Sequence, residues 1–508
     1  MPLATTLIAT FYAAGMAVLL LYGLNLLWMA LVHARREALL PGAPPDPNDA
    51  PEPDETWPVV TVQLPLFNEA FVAERLIDAC ARLDYPRRRL EIQVLDDSTD
   101  HTAELTARRV AHWQARGVDI VHIHRKDREG YKAGALQNGL RLARGTLIAV
   151  FDADFVPPPD FLRRTVPVFR DPSVGMTQAR WGHLNAGHSL LTRIQAFGLD
   201  THFAIEQRVR SLAGCFINFN GTAGIWRLSC IEDAGGWQSD TLTEDLDLSY
   251  RAQLKGWRFR YLPELEAPGE LPVDINALRS QQFRWTKGAA QTSRKMLGPL
   301  WRSRQPWRVK FEGTLHLTAH IVFPFVVLVA ALHAPLMLLK NLGEGPGEFY
   351  FAVMGVGLTG FVGFFLAQLF AQRALYPDWA RRTMLFPLFM AASMGMAVNN
   401  TRAIWEAVRG KRSAFVRTPK YDVHAHGNRR AWWRTRYAET RIPGIVWIEI
   451  LLTLYCLAGL GVTLVYGEWA AAPFQALFTL GFGLVAAYNV RQFRQARPAR
   501  RAIAQRFA

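Results

Sequence analysis

The sequence predicts an α/β domain with a mostly parallel sheet, joined to an α-helical region that spans a membrane several times. Strand and helix signals alternate between residues 58 and 272, which is the pattern of βαβ units. Long apolar stretches lie before and after this region, and several are long enough to cross a bilayer. The 508 residues carry a net charge of +15, and the basic residues cluster beside the apolar stretches, which favours contact with a membrane surface.

The first apolar stretch, residues 7–32, predicts an N-terminal membrane anchor within residues 1–35. It exceeds the ~20 residues that span a bilayer. No basic segment precedes it, and Arg35 and Arg36 follow it, which indicates an uncleaved anchor with its carboxyl end in the cytoplasm. Residues 36–57 are rich in Pro and Asp and predict an extended or flexible linker.

Further apolar stretches follow the α/β domain, at about 313–339, 348–372, 383–400, 444–466 and 471–489. The loop at 341–348 has no Lys or Arg, whereas 402–441 is rich in Arg and contains Lys, and 491–506 is rich in Arg. The positive-inside rule therefore places the loop outside and the two basic segments inside. Both ends of 383–400 then lie in the cytoplasm, so we expect five spans and a re-entrant or interface helix.

These patterns divide the second half of the chain into three parts. We expect amphipathic interface helices over 273–312, a transmembrane channel region over 313–490 and a basic cytosolic tail over 491–508. The segment 301–308 interleaves Trp and Arg, a composition that suits either the lipid headgroup layer or a stack on single-stranded nucleic acid. The neighbouring span favours the lipid bilayer as partner, and no nucleic acid is expected.

Within the α/β domain, strands are predicted at 59–64, 90–95, 120–123 and 146–151, with helices at about 101–115 and 132–143. Asn68 is predicted to cap the helix that follows the first strand. The chain has no Walker A pattern, and no dinucleotide-binding glycine motif follows the first strand. Phosphate groups are therefore expected to be held by a metal ion and basic side chains. The four cysteines lack metal-ligand spacing and are predicted to be free thiols.

Acidic residues follow two of the predicted strands. Asp152 and Asp154 end the strand at 146–151, and alternation along a strand predicts that both point to one face. Asp97 follows the strand at 90–95, so the three carboxylates should meet at the carboxyl edge of the sheet, where α/β proteins bind ligands. Mg²⁺ takes one or two carboxylates plus substrate phosphates, which predicts a metal–diphosphate site. The alternatives are a solvated strand end for the pair and a turn-forming role for Asp97.

Two later segments carry further candidate residues. Lys132 lies between the two glycines of RKDREGYKAGA and is positioned to reach a phosphate, although such a segment is also typical of a surface loop. Thr243 is predicted to cap a helix that begins with Glu244 and Asp245. Asp245 is a candidate base facing a sugar site, and the alternative is that both acidic residues only complement the helix dipole.

The segment QQFRW, residues 281–285, combines a polar helix face with an aromatic side chain. Gln281 and Arg284 share a face at helical spacing. The planar guanidinium of Arg284 suits a diphosphate, and Trp285 offers the flat apolar surface on which sugars stack. An amphipathic helix at the membrane surface would have the same composition, and the two interpretations are compatible.

In this order along the chain, these segments resemble the processive family-2 glycosyltransferases, which include cellulose, chitin and hyaluronan synthases. The resemblance covers about residues 59–295 and is closest to the cellulose-synthase-like A and C proteins, which make mannan, glucomannan and glucan backbones. The segments that carry it are QVLDDSTD, GYKAGAL, FDADF, QARW, FNGTAGIWR, TEDLDLSYRAQLKGW and QQFRW.

The resemblance implies a GT-A fold for residues 58–272 and an inverting transfer from a nucleotide sugar. By that resemblance Asp97 contacts the nucleotide, and Asp152 faces the nucleotide or its ribose. Lys132 lies near the diphosphate, and Asp154 coordinates Mg²⁺ or Mn²⁺.

The resemblance also implies the remaining roles. Gln281 and Arg284 bind the diphosphate, and Asp245 is the general base that deprotonates the acceptor hydroxyl. The acceptor sugar is expected to contact Trp285, Glu244 and Asn220.

The basic segment 402–441 contains a sequence similar to the gating loop of cellulose synthases. The residues that carry the similarity are Phe415, Arg417, Thr418 and Lys420. The segment departs from the usual motif at its Arg and Pro residues, Arg417 and Pro419. We therefore call it gating-like.

The sequence as a whole predicts a processive inverting glycosyltransferase that polymerises a β-linked, β-1,4 glucan, mannan or glucomannan and moves it across the cell membrane. The donor is expected to be UDP-glucose or GDP-mannose, the acceptor the growing polysaccharide, and the catalytic domain cytosolic. The alternatives are a non-processive transferase that makes a membrane glycolipid and a non-catalytic membrane protein that binds a nucleotide sugar. The sequence identifies no protein partner.

Overall fold

A computed structural model describes residues 2–36, 56–411, 413, 416–423 and 442–507. Seven strands form one sheet in the order β3-β2-β1-β4-β6-β5-β7. Their bounds are β1 Val60–Leu66, β2 Leu90–Asp96, β3 Ile120–His124, β4 Leu147–Val150, β5 Val174–His183, β6 Gly224–Arg227 and β7 Arg258–Gly269. The strands predicted from the sequence correspond to β1 to β4.

The sheet is mostly parallel, as predicted. β1 pairs in parallel with both β2 and β4, and β2 pairs in parallel with β3. β6 runs antiparallel between β4 and β5, and β7 is parallel to β5. The carboxyl ends of β1, β2 and β4 therefore open at one edge of the sheet, which is where ligands bind in open α/β folds.

Apolar side chains cover both faces of the sheet. Every residue of β1, β2 and β4 is buried. One core packs on the face that includes Val62, Val94 and Phe151, and a second packs on the face that includes Ile148, Val150 and Trp226. Burial on both faces explains why these strands read as continuous apolar runs in the sequence.

The helices alternate with the strands and continue into the apolar region. The first nine are α1 Leu3–Arg36, α2 Ala73–Ala81, α3 Thr102–Gln114, α4 Tyr131–Leu140, α5 Phe161–Thr165, α6 Leu190–Thr201, α7 Arg208–Leu212, α8 Leu228–Asp233 and α9 Glu244–Leu254. The others are α10 Ile275–Arg302, α11 Trp307–Thr318, α12 Val322–Asn341, α13 Glu348–Gly355, α14 Gly357–Leu375, α15 Trp379–Thr383, α16 Phe386–Val408, α17 Ile445–Val465 and α18 Ala472–Phe507.

The predicted cap at Asn68 is wrong. α2 begins only at Ala73, and Asn68 lies in the preceding turn with a backbone φ of +54°. Its side-chain oxygen accepts from the Thr99 amide at 2.8 Å, so it joins the ends of β1 and β2. Asn tolerates the left-handed conformation better than most residues, which fits it to this turn.

Five helices of the described chain are long and apolar enough to cross a membrane, and they make this a multi-pass membrane protein. They cover Leu3–Arg35, Trp307–Asn341, Glu348–Leu375, Ile445–Val465 and Ala472–Gln495. The helix in the ambiguous segment, α16, is not among them. It packs against α10 and α18.

A buried ion pair joins the α/β side to the membrane helices. Arg279 on α10 contacts Glu449 on α17 at 2.5 Å, and both side chains are almost fully buried. α10 carries the QQFRW segment, so this contact fixes that segment relative to the apolar helices. All four cysteines are free and buried, as predicted.

Candidate active site

One pocket opens at the carboxyl edge of β1, β2 and β4, and it collects the site residues predicted from the sequence. Phe415 lies outside the described residues. The predicted residues that line the pocket are Asp97, Lys132, Asp152, Asp154, Asn220, Glu244, Asp245, Gln281, Arg284, Trp285, Arg417, Thr418 and Lys420.

Asp152 and Asp154 both face this pocket, but not because they lie on a strand. β4 ends at Val150, and both residues belong to the turn that follows it. Phe151 is fully buried in the core and anchors this turn. The alternation argument therefore used the wrong local structure. The Asp152 amide donates to the Thr222 hydroxyl at 2.9 Å, which holds the turn against the segment before β6.

Lys132 lies at the centre of the pocket and joins three segments. Its ammonium contacts Asp152 Oδ1 at 2.5 Å and the Gly221 carbonyl at 2.8 Å, and it lies 3.9 Å from Glu244 Oε1. Burial disfavours the charged amine, but the carboxylates of Asp152 and Glu244 outweigh burial and raise the pKa of Lys132. Lys132 therefore stays cationic where a diphosphate would need a positive charge.

The turn before Lys132 requires glycine at two points. Gly130 has a φ of +71°, and a Cβ at Gly134 would lie 1.9 Å from the Glu129 carbonyl oxygen. This tight turn starts α4 and aims Lys132 into the pocket. The surface-loop alternative for this segment does not describe Lys132, whose side chain is 16% exposed.

Asp245 lies in the first turn of α9, against the glycine turn of FNGTAG. A Cβ at Gly221 would lie 3.0 Å from Asp245 Oδ2, so glycine lets the backbone approach the carboxylate. Burial, together with the neighbouring Glu244 carboxylate, raises the pKa of Asp245 to about 7. The two carboxylates titrate as a coupled pair. A carboxylate with a pKa near neutrality is suited to accept a proton at physiological pH.

Thr243 occupies the N-cap position of α9, as predicted, but its side chain makes no capping bond. Its hydroxyl instead pairs with the Thr292 hydroxyl on α10 at 3.1 Å. A Cβ at Gly288 would lie 2.5 Å from Thr243 Cγ2, so glycine lets α10 approach the start of α9. This contact brings Asp245 and the QQFRW segment to the same pocket.

Asp97 is held by a side chain that the sequence analysis did not select. The Arg125 guanidinium donates to both Asp97 carboxylate oxygens, at 2.8 Å and 2.6 Å. The turn-forming role belongs instead to Asp96, whose Oδ1 accepts from the Ser98 amide at 2.8 Å. Asp97 is therefore a fixed carboxylate in the pocket wall rather than a turn former.

The QQFRW segment lies on α10, which Asp274 caps by accepting from the Ala277 amide at 2.7 Å. Arg284 donates to the Val416 carbonyl at 3.1 Å, and it lies 3.5 Å from the Thr418 hydroxyl. The gating-like segment therefore contacts Arg284, the side chain expected to bind the diphosphate.

Lys420 extends the same segment across the pocket. Its ammonium lies 2.5 Å from Asp154 Oδ2 and also donates to the Glu270 carbonyl. The neighbouring Tyr421 amide donates to Glu270 Oε1 at 2.9 Å. Residues 416–423 thus close one side of the pocket. They bring the Lys420 ammonium into contact with Asp154, the predicted metal ligand.

Four further polar residues line the pocket and were missed, namely Glu69, Arg128, His183 and Glu270. Glu69 follows β1, so the rule applied to Asp97 would have found it. His183 ends β5 and Glu270 follows β7, two strands that were not predicted from the sequence. Burial raises the pKa of Glu69 to about 7, against the opposing charge of Arg417.

The carboxylates fit a divalent cation whose remaining ligands come from a substrate. Among the described residues, no group of three or more His, Cys, Asp or Glu side chains is arranged to hold a metal by itself. Asp154 and Asp152 instead offer two carboxylates beside cationic side chains. This is the ligand set that Mg²⁺ or Mn²⁺ uses when phosphate oxygens complete the shell.

Comparison with known proteins shows what the α/β domain is similar to. Residues 58–288 match the family described as "Glycosyltransferase like family 2". The chain is 47% identical over 295 residues to "Glucomannan 4-beta-mannosyltransferase 7" of Arabidopsis thaliana, covering 55% of this chain and 53% of that protein. It is 42% identical over 290 residues to "Glucomannan 4-beta-mannosyltransferase 1" of Oryza sativa subsp. japonica, covering 56% and 54%.

The chain thus spans about half the length of the curated relatives it matches. A solved structure has the same fold, "Mannosyltransferase PcManGT from Pyrobaculum calidifontis in complex with GDP-Man and Mn2+". The TM-score is 0.54 at 21% identity, covering 80% of this chain and all of that one. The predicted α/β GT-A fold is confirmed.

Proposed function

Because residues 58–288 match the family described as "Glycosyltransferase like family 2", we propose that this protein polymerises a β-1,4-linked mannan or glucomannan from a nucleotide sugar at the membrane. The observation that carries the proposal is the arrangement around Asp245. A partly buried carboxylate with a pKa of about 7 lies in one pocket with the carboxylates of Asp152 and Asp154 and the cations Lys132 and Arg284.

The donor we propose is GDP-mannose. The curated relatives are named as mannosyltransferases, and the solved structure of the same fold holds GDP-Man and Mn2+. UDP-glucose is the second donor to test, because a glucomannan contains both sugars. We propose that Asp97, fixed by Arg125, accepts hydrogen bonds from the nucleoside, and that Lys132 and Arg284 supply the positive charge that a diphosphate requires.

The transfer is a single displacement at the anomeric carbon. Asp245 takes the proton of the acceptor hydroxyl as that oxygen forms its bond to the anomeric carbon. The bond to the diphosphate breaks at the same carbon, and the nucleoside diphosphate leaves with the electron pair. Attack opposite to the leaving group inverts the configuration, so an α-linked donor gives a β-linked product.

Asp154, with Asp152 beside it, would hold a Mn²⁺ or Mg²⁺ ion. The ion would neutralise charge on the departing diphosphate. Lys420 would leave Asp154 when the ion is bound, because its ammonium contacts the same carboxylate. Trp285 lines the pocket on the α10 side, where we place the acceptor sugar together with Glu244 and Asn220.

We place the catalytic domain in the cytosol of a cell membrane, with the helices after α11 forming the path of the growing polysaccharide. The basic flanks of the apolar helices support this orientation, because Lys and Arg favour the cytoplasmic side. Nucleotide sugars in the cytosol would then meet the pocket directly.

The proposal is tested with membranes that contain the full chain, incubated separately with radiolabelled GDP-mannose and UDP-glucose and with Mn²⁺ or Mg²⁺. We expect label from GDP-mannose in a high-molecular-weight product that endo-β-1,4-mannanase degrades. Chelation of the metal and the substitution Asp245→Asn should each abolish the product. Label found only in the lipid extract would contradict polymer synthesis, and transfer from neither donor would contradict the proposed activity.

A further inference from the structure

We propose that His202 is a positioning residue that orients the Asn220 side chain in the acceptor site and links it to a membrane helix. The inference rests on the proposed function, in which Asn220 contacts the acceptor. His202 is absent from the pocket wall and acts only through Asn220.

His202 opens an irregular segment of a long helix. Residues His202–Gln207 form a π-helical stretch between α6 and α7. π-helical stretches within α-helices are rare and frequently lie at functional sites. Within this stretch His202, Glu206 and Gln207 all carry polar side chains that bond outside or along the helix.

The backbone carbonyl of Asn218 sets the direction of these hydrogen bonds, because a carbonyl can only accept. The side-chain nitrogen Nε2 of Gln207 donates to it at 2.8 Å. The same nitrogen donates to Asn220 Oδ1 at 2.7 Å. Asn220 therefore presents its Nδ2 to His202, at 3.0 Å from Nε2. Rotating the Gln207 amide would set its oxygen against the Asn218 carbonyl oxygen, so the reverse arrangement is disfavoured.

This order fixes the form of the imidazole. Because Asn220 Nδ2 donates, His202 Nε2 must accept and carries no proton. The proton lies on Nδ1, which is 3.5 Å from Glu206 Oε2. The hydrogen bonds therefore define which nitrogen of the imidazole accepts. A positively charged His202 would place two donors against each other and release the Asn220 amide.

The chain of contacts continues to a membrane helix. Arg210 donates to Glu206 Oε2 at 3.1 Å and to Glu312 Oε1 at 3.0 Å. Arg210 and Glu312 side chains are each only 4% exposed. Burial opposes ionisation of Glu206, but the hydrogen bond from His202 and the charge of Arg210 outweigh it and lower the Glu206 pKa.

Glu312 belongs to α11, at the start of the apolar helix Trp307–Asn341. An acceptor-site amide is thus joined to this membrane helix through four polar side chains, His202, Glu206, Arg210 and Glu312. A displacement of the helix would move Asn220, which would link the acceptor position to the membrane part.

The consequence concerns acceptor binding rather than donor binding. Asn220 precedes Gly221, which lies beside Asp245 and Lys132. If the amide loses its partner at His202, the acceptor hydroxyl is held less well next to Asp245. Donor bound without an aligned acceptor can react with water, so hydrolysis of the donor should increase relative to transfer.

The test compares two variants. His202→Leu removes the imidazole nitrogen that takes the hydrogen bond from Asn220, whereas His202→Gln keeps a side-chain oxygen that can take this bond. The matched control is His112→Leu on α3, where the imidazole contacts only local side chains. For His202→Leu we expect the KM for a mannan oligosaccharide to rise about tenfold, the size of one lost hydrogen bond. The donor KM should be unchanged, and His202→Gln should restore most of the acceptor affinity.

Two results would overturn the inference while leaving the proposed function intact. One is a His202→Leu enzyme that retains normal acceptor KM and a normal ratio of hydrolysis to transfer. The other is a His202→Gln enzyme as impaired as His202→Leu. The imidazole can also be examined without any transfer, by ¹⁵N NMR of histidine-labelled protein in nanodiscs. We expect the neutral form with the proton on Nδ1, and a proton on Nε2 at neutral pH would refute the argument.

Discussion

Asp245 gains its chemical character from its surroundings rather than from its residue type. An exposed Asp has a pKa near 4 and is a weak base at neutral pH. Burial and the adjacent Glu244 raise the pKa of Asp245 to about 7. The positive charge of Lys132 acts in the opposite direction and limits this rise. The carboxylate is therefore basic enough to take a proton from a hydroxyl and is still ionised in part at neutral pH.

Asp245→Asn removes this base without changing the size of the side chain. We expect kcat to fall about 10²–10⁴-fold, the usual contribution of a positioned base. Binding of the nucleoside diphosphate, measured by calorimetry, should be retained. Asp233→Asn on α8 is the matched control, because that carboxylate is 46% exposed and pairs with Lys255 at the surface. Equal activity of the wild type and Asp245→Asn would remove Asp245 from the mechanism.

The same pKa sets the pH dependence of the reaction. Below a pH of about 7, Asp245 is protonated and cannot accept a proton, so kcat/KM should rise with pH and level off above that value. The measured midpoint belongs to the Glu244–Asp245 pair. Initial rates at low substrate between pH 5 and 9 test this prediction. A midpoint near 4 would show that the free carboxylate is not shielded from water.

Side chains close to a strand end were the easiest to predict from the sequence. Asp97, Asp152 and Asp154 follow apolar runs, and the parallel sheet brings those ends together. Lys420 and Asp154 are 266 positions apart, so no local pattern relates them. Arg125 directly follows β3 and could have been found by the same rule, but only acidic residues were sought at the strand ends.

At the scale of elements, α9 and α10 are held together by one close contact. The Cβ that Ala would add at Gly288 lies 2.5 Å from Thr243 Cγ2 and 2.9 Å from the Thr243 backbone nitrogen. Because one of these atoms belongs to the Thr243 backbone, it has little freedom to move away. The helix that carries Gln281, Arg284 and Trp285 is therefore set at a fixed distance from Asp245.

Gly288→Ala should separate the two helices and misalign the pocket. We expect kcat to fall by about 10²-fold, the cost of a displacement of ~1 Å between catalytic groups. Gly461→Ala on α17 is the control, because no atom lies within 4 Å of the added Cβ. The measurement is polymer formation at saturating donor, with thermal unfolding recorded for both variants. Full activity in Gly288→Ala would contradict the role of this contact.

The sequence located the start of α9 at Glu244 but misplaced that of α2. Thr243 and Asn68 were both predicted as caps, but neither side chain makes a capping bond, because each is engaged by another element, α10 and the end of β2 respectively. Tertiary hydrogen bonds compete with local capping, and only the three-dimensional structure shows which one forms.

At the scale of the whole molecule, the pair Arg279–Glu449 joins the pocket helix α10 to α17. Removing one partner leaves an unpaired buried charge, so Arg279→Met and Glu449→Leu should each destabilise the protein by about 3–5 kcal/mol. The double variant replaces both charges by apolar groups and should recover most of that loss. Thermal unfolding of detergent-purified protein tests this prediction. A double variant less stable than either single one would contradict the pairing.

The architecture as a whole could be predicted from two patterns in the sequence. Alternating strand and helix signals predicted the sheet, and long apolar stretches predicted the membrane helices, because each reflects burial over many residues. The closure of the pocket by residues 416–423 could not be derived in this way. It depends on contacts of Arg417, Thr418 and Lys420 with residues more than a hundred positions away, such as Thr418 with Arg284.

The central claim is that this pocket joins mannosyl residues by inversion into a polymer. The most direct measurement supplies the purified full chain with GDP-[1-¹³C]mannose, Mn²⁺ and a mannan oligosaccharide, and records the anomeric configuration by NMR and the length by size-exclusion chromatography. We predict β-configured linkages in chains that grow with time, and none with Asp245→Asn. An α-configured product, or a single mannose that stays on the acceptor, would contradict the account.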